Sequence, residues 1–165
     1  GFRRMQMCRD GLAALDRRGW ERSYHQREFH EAFLRASSKV FWKHEAPGQF
    51  QRDHQYILEY NHWYHLSQEI LVSTPRRFGK TIAVSMFAAS MMYSGCGVQI
   101  SIYSTCKRIS QKLLENVTMF LALIFKELDK QPYKEIRKNL EQVILQGPEG
   151  DHDVRVLNSY PSKVC

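Results

Sequence analysis

The chain has 165 residues, with 24 Lys and Arg against 17 Asp and Glu, for a formal net charge of +7. That length suits one domain of roughly 100–200 residues, or a piece of a larger one. With 43% hydrophobic and 12% aromatic residues there is apolar material for a packed core, which excludes disorder throughout. Even the apolar run that ends at Phe125 is far short of the ~18–20 residues of a membrane span. The first ten residues hold three Arg and no apolar stretch, so no signal peptide is expected, and a first residue of Gly suggests a fragment.

Cys8, Cys96, Cys106 and Cys165 are scattered, with no Cys-x-x-Cys pair, which argues against a zinc ribbon and a dense disulfide framework. They are expected to be reduced, in a cytosolic or nuclear compartment. His62 and His65 stand three apart and His25 and His30 five apart, but no Cys or acidic cluster completes a ligand set. The positive charge suits a polyanion, nucleic acid or nucleotide phosphate, though +7 alone only sets a direction.

In chain order, residues 1–49 are basic, aromatic and patchily helical, and the spacing of Phe29, Phe33 and Leu34 predicts a helix over 27–37. Pro47-Gly48 marks a turn and a boundary. An aromatic amphipathic stretch from Arg52 to Leu66 predicts a second helix with Ile57, Leu58 and Trp63 turned inward. Ile70-Leu71-Val72 reads as a short strand. It leads into Ser73-Thr74-Pro75-Arg76-Arg77-Phe78-Gly79-Lys80-Thr81 and then a buried Ala- and Met-rich helix, Ile82 to Tyr93, with a glycine exit. Val98 to Tyr103 reads as a strand and Arg108 to Leu128 as a periodic helix. The order implies a parallel βαβ unit. Glu141 to Gln146 and Val154 to Leu157 flank a Gly-Pro-Glu-Gly-Asp turn and predict a hairpin.

The segment up to Thr81 has the parts of a triphosphate site. A strand should end at the site, a tight loop should turn its amides inward, and a helix should begin there with its positive dipole end toward the phosphates. Gly79 permits close backbone approach, Lys80 supplies a charge between the β- and γ-phosphates, and Thr81 offers a hydroxyl to Mg²⁺. The usual pattern is Gly-x-x-x-x-Gly-Lys-Ser/Thr, and Thr74 stands where the first glycine belongs. Arg76 or Arg77 is placed to spread its charge over oxygens that gain negative charge during phosphoryl transfer, the other tethering a neighbouring acid. For Arg77 a solvated loop cation is an equal alternative.

Thr74-Pro75-Arg76-Arg77-Phe78-Gly79-Lys80-Thr81 resembles the deviant Walker A motif of large terminase subunits, the ATP-driven DNA-packaging motors of tailed phages and herpesviruses, especially the herpesvirus-type form. The likeness continues through Ile100 to Ser110 and reaches Asn158-Ser159-Tyr160-Pro161-Ser162, covering residues 50–165, and 1–49 only vaguely. The resemblance implies an N-terminal ATPase fragment in which Arg76 is the better choice for catalytic arginine and Gln55 the adenine contact, unless Gln55 is simply an exposed helix residue. It implies Lys80, Arg76 and Arg77 as catalytic residues. It implies ATP held by Gln55, Thr74, Pro75, Phe78, Gly79, Lys80 and Thr81, with Mg²⁺ on Thr81. It also implies double-stranded DNA as partner, a homo-oligomeric ring on a viral portal with a small terminase subunit, and residence at the packaging site in the host nucleus or cytoplasm, with no membrane. Ser104 to Arg108 either contact phosphate or DNA, or form a plain turn with an N-cap.

No apolar strand followed by an acidic pair comes after Thr81, and hydrolysis needs one carboxylate for Mg²⁺ and one for the attacking water. The chain is therefore expected to be truncated before Walker B, to lack the family's nuclease domain, and to bind nucleotide without turnover. Two alternatives stay open: a helicase-type ATPase, and a non-catalytic basic nucleic-acid module. The expected fold is α/β, a partial P-loop NTPase with a helical lead-in over residues 1–49, an ATPase domain over 50–165, and open strand edges on its short sheet.

Overall fold

The computed structural model describes residues 1–75 and 78–162. Among these residues five α-helices and a four-stranded mixed sheet make an α/β fold. Helix α1 (Phe2–Arg17) lies in the helical lead-in expected over 1–49, where the sequence marked no helix at these bounds. It buries Met5, Cys8, Leu12 and Leu15 on one stripe. Helix α2 (Tyr24–Ser37) starts at a capping box: Ser23 Oγ accepts from the Gln26 amide, and the Gln26 side chain accepts from the Ser23 N–H. A short 3₁₀ segment, Ser38–Trp42, follows.

Helix α3 (Gln49–Asn61) lies slightly earlier than expected and ends at His62, in the left-handed conformation with φ 59°. Its inward residues are Ile57 and Leu58, as the pattern indicated, while Trp63 is half-buried beyond the helix end. Helix α4 (Lys80–Ser94) is apolar nearly all round because it is central, packed by α1 and α2 and by helix α5 (Lys107–Glu127). At the α1–α4 crossing, a Cβ on Gly11 would come within 2.4 Å of Ser90 Oγ, and that hydroxyl donates to the Cys8 carbonyl at 3.0 Å. Only glycine admits so close an approach.

The strands are β1 (Gln99–Ser104), β2 (Lys134–Lys138), β3 (Gln142–Gln146) and β4 (Val154–Pro161), in the spatial order β1-β4-β3-β2. The expected hairpin is present as the antiparallel pair β3–β4. The expected parallel pairing occurs between β1 and β4, in register Ile100 with Leu157 and Tyr103 with Tyr160. It does not involve 70–72: those residues form no strand, and Leu71 is 97% exposed. The βαβ unit anticipated around α4 is thus replaced by a crossover from β1 through α5 to β4. Strand β2 adds an exposed, basic edge with an irregularity between Glu135 and Arg137.

One core runs through the molecule: α1 contributes Met5, Leu12 and Leu15 to the same cluster as Met92, Phe120, Val143 and Leu157. Beneath α4, Arg155 and Asp153 form a fully buried ion pair. The Arg155 guanidinium donates to both Asp153 oxygens and to the carbonyls of Met92 and Tyr93 at the end of α4. Burial pushes the Asp153 carboxyl up, but the Arg155 and backbone hydrogen bonds outweigh it and hold its pKa at about 2. Cys8 and Cys96 are free and buried, as expected of reduced thiols, whereas Cys106 is disulfide-bonded; Cys165 lies outside the described residues. Spacing along the chain carries no information on which thiols meet in space. Among the described residues no helix is long and apolar enough to cross a membrane.

Candidate phosphate loop and its surroundings

The loop from Ser73 to Gly79 enters α4 abruptly. Gly79 has φ 79° and ψ 40°, a left-handed conformation that a side chain would strain, and the helix begins at the next residue, Lys80. The Gly79 carbonyl accepts the first helical hydrogen bond, from Ala83 N–H at 2.8 Å. Among the described residues no side chain caps this N-terminus, in contrast to α2. The amides of the first turn are therefore left for solvent or for an anion, at the end of the helix that carries partial positive charge. Lys80 is exposed at this end, and Thr81 is half-buried one residue further on. The Thr81 carbonyl accepts from Ser85 Oγ at 2.7 Å.

The loop is held from the side of α2. Gln26 Nε2 donates to the Phe78 carbonyl at 3.4 Å, and the Phe78 ring lies 5.8 Å from that of Phe29. One turn along, buried His30 reaches α4 itself: its Nε2 lies 2.7 Å from the Ala83 carbonyl, and its Nδ1 lies 3.2 Å from Arg22 Nη1. A carbonyl only accepts and a guanidinium only donates, so Nε2 carries the proton and Nδ1 accepts. Burial is the main cause that lowers the His30 pKa to about 4, with Arg22 adding to it against the opposing Ala83 hydrogen bond. Arg22 is in turn gripped by Asp16 of α1, at 3.0 Å. A chain of contacts thus runs from Asp16 through Arg22 and His30 to the first turn of α4.

The residues singled out from the sequence meet only in part. Thr74, Pro75, Phe78, Gly79, Lys80 and Thr81 lie together along the loop and helix start. Arg76 and Arg77 lie outside the described residues. Gln55 is exposed on α3, where its amide donates to Glu59 at 3.0 Å, and it makes no hydrogen bond to the loop among the described residues. At the end of β1, Ser104 hydrogen-bonds Ser110, and Cys106 is the N-cap residue of α5. Gln26, Phe29 and His30 were missed as neighbours of the loop; the capping-box pattern Ser23-x-x-Gln26 is legible, but the reach of Gln26 to a residue 52 positions away is not.

No family model, no curated protein and no solved structure matches the chain. What the site can do is therefore judged from its own chemistry. Uncapped first-turn amides, an adjacent lysine and a hydroxyl at the second helical position suit a polyphosphate. Mg²⁺ would take the Thr81 hydroxyl, phosphate oxygens and water, a ligand set that this ion accepts, and would neutralise phosphate charge. Among the described residues there is no group of three or more His, Cys, Asp or Glu side chains that would cage a metal by themselves.

Proposed function

We propose that this chain is the ATP-binding part of a viral DNA-packaging motor of the large-terminase type, with the triphosphate seated on the loop from Thr74 to Thr81. The observation that carries the reading is the entry to α4: left-handed Gly79, then Lys80 and Thr81 at a helix start that no side chain among the described residues caps. Polyphosphate fits there because unpaired amides, helix dipole and lysine act on the same anion. The P-loop NTPase fold is part of this proposal; the strand that such a fold places before the loop is not formed at 70–72, and the loop is held instead from the helix side by Gln26 and by α4.

The packaging role, with double-stranded DNA, a ring on a portal and a small terminase subunit as partners, rests on the resemblance of Pro75-Arg76-Arg77-Phe78-Gly79-Lys80-Thr81 to the family motif. Arg76 is proposed as the arginine that meets the γ-phosphate. With no acidic pair following an apolar strand after Thr81, binding without hydrolysis is expected of this chain.

Titration of a fluorescent ATP analogue in the presence of Mg²⁺ tests the assignment. Lys80→Ala removes a charge-assisted contact worth about 1.5–3 kcal/mol, so affinity should fall by about 10- to 150-fold. Unchanged affinity would remove the phosphate-loop assignment. Phosphate release above background, abolished by Lys80→Ala, would overturn the expectation of binding without turnover.

A further inference from the structure

Between the first half of α2 and the loop lies a cleft of about 440 Å³, with His25, Glu28 and Phe29 on the helix side and Thr74, Pro75 and Phe78 on the loop side. We infer that this cleft seats the base of the bound nucleotide, and that the base is a purine bearing an exocyclic amine. The inference rests on the phosphate-loop reading and extends it to the other end of the ligand.

Position comes first. The cleft shares Thr74, Pro75 and Phe78 with the loop itself, so a molecule whose phosphates sit at the start of α4 meets it within its own length. Its volume falls in the range of small-molecule sites, roughly 300–1,000 Å³. Chemistry comes second. Phe29 and Phe78 pack as a tilted pair, centroids 5.8 Å apart, and give the cleft an aromatic wall. The His25 ring stands beside it on the first turn of α2, its side chain 76% exposed. Flat apolar surfaces of this kind take a planar heterocycle, with a few polar groups to fix its edge.

Two polar groups are available for that edge. Thr74 lines the cleft, and its hydroxyl is buried and has no hydrogen-bond partner among the described residues, an arrangement that costs free energy until something fills it. A ring nitrogen would accept from this hydroxyl. Glu28 carries a carboxylate, which only accepts, 3.6 Å from His25 Nδ1 and 58% exposed. An exocyclic amine is the group on a purine that would donate to it. Gln55, the residue suggested by family resemblance, is engaged with Glu59 on α3. The arrangement therefore gives base contact to α2, the same helix that holds the loop through Gln26.

Calorimetric titration with Mg²⁺ and two ligands, ATP and inorganic tripolyphosphate, separates the two ends of the site. The variants are His25→Ala with Glu28→Ala, both exposed enough to leave the fold intact, and Lys80→Ala. The unaltered chain should bind ATP about ten-fold or more tighter than tripolyphosphate. The His25/Glu28 pair of substitutions should remove about five-fold or more of the ATP affinity without changing that for tripolyphosphate, while Lys80→Ala weakens both. Inosine triphosphate, which lacks the amine, should bind the unaltered chain as weakly as ATP binds the doubly substituted one. If tripolyphosphate binds but ATP is no tighter, or ATP affinity ignores the α2 substitutions, the base site is wrong and the phosphate loop stands. If neither ligand binds, both fall.

Discussion

His30 offers the sharpest test of how α2 secures the start of α4. The buried ring is neutral in the fold, with a pKa of about 4, against 6.5 for a solvated imidazole. Above pH 6.5 both folded and unfolded chains hold it neutral and its environment costs nothing. As pH falls below 6.5 the unfolded chain takes up a proton that the folded chain refuses, so stability drops until about pH 4, where the folded ring also protonates. Integrated from pH 8 to pH 4.5, the loss is about 2.5 kcal/mol. For a chain of this size that corresponds to a melting temperature lower by about 5–10 °C. The depressed carboxyls of Asp16, Asp53, Glu127 and Asp153 act in the same direction, but mainly below pH 4.5, near and under their ordinary values. Thermal unfolding followed by circular dichroism at pH 8, 6.5, 5.5 and 4.5 gives the slope. His30→Gln keeps an amide donor for the Ala83 carbonyl and an acceptor for Arg22 but cannot titrate, so its slope over this window should be nearly flat. A His30→Gln protein as acid-sensitive as the unaltered one would refute the reasoning.

Three other substitutions probe the frame of the site. Arg155→Met leaves the buried Asp153 carboxylate to partners such as the amides of Gly97 and Glu149, deprives the Met92 carbonyl of its Arg155 donor, and leaves the Tyr93 carbonyl with the Tyr133 hydroxyl. Chemical denaturation should show a loss of about 3–5 kcal/mol, and a loss under 1 kcal/mol would mean that the pair is not buried. Gly79→Ala places a side chain at φ 79° with its Cβ 3.1 Å from Gln26 Nε2, and should cost about 1–2 kcal/mol in the same measurement while weakening the ATP analogue. Leu71→Asp should change stability by less than about 0.5 kcal/mol, because the side chain is in solvent; a cost of several kcal/mol would restore Leu71 to a buried strand.

What the sequence revealed follows from which signals are local. Helices α4 and α5 were readable because their apolar content and period need no knowledge of neighbours, and the glycine that ends α4 stands at its expected place. The β3–β4 hairpin was readable from its turn. Helix α1 was obscured by its arginines and by Gly11, a residue that weakens a helix locally yet is required here by contact with Ser90, 79 positions away. Strand β2, Lys-Glu-Ile-Arg-Lys, shows no alternation because it is an exposed edge. At the site the Gly79-Lys80-Thr81 start was legible as backbone chemistry, while Gln26, Phe29 and His30 were invisible because their roles exist only once α2 lies across α4.

The segment Ile70-Leu71-Val72 shows where such reading stops. Its β-branched composition is that of a strand, but a strand exists by pairing, and propensity contributes only about 1 kcal/mol across its whole scale. Strand β1 ends the sheet, bonded to β4 on one side, and Ile70 lines a groove together with Ile100, Ile102, Phe33 and Phe87. Ile70 thus lines an apolar groove without forming a strand, and Leu71 is left in water. The approach to the loop is loosely specified as a result, and its geometry is imposed from downstream. Gly79 fixes the turn, α4 fixes the direction of the amides, and Gln26 fixes the Phe78 carbonyl between them. The proposed phosphate cradle would depend on α2 as much as on its own residues, so changes that loosen α2 from α4 should weaken polyphosphate binding without touching the loop.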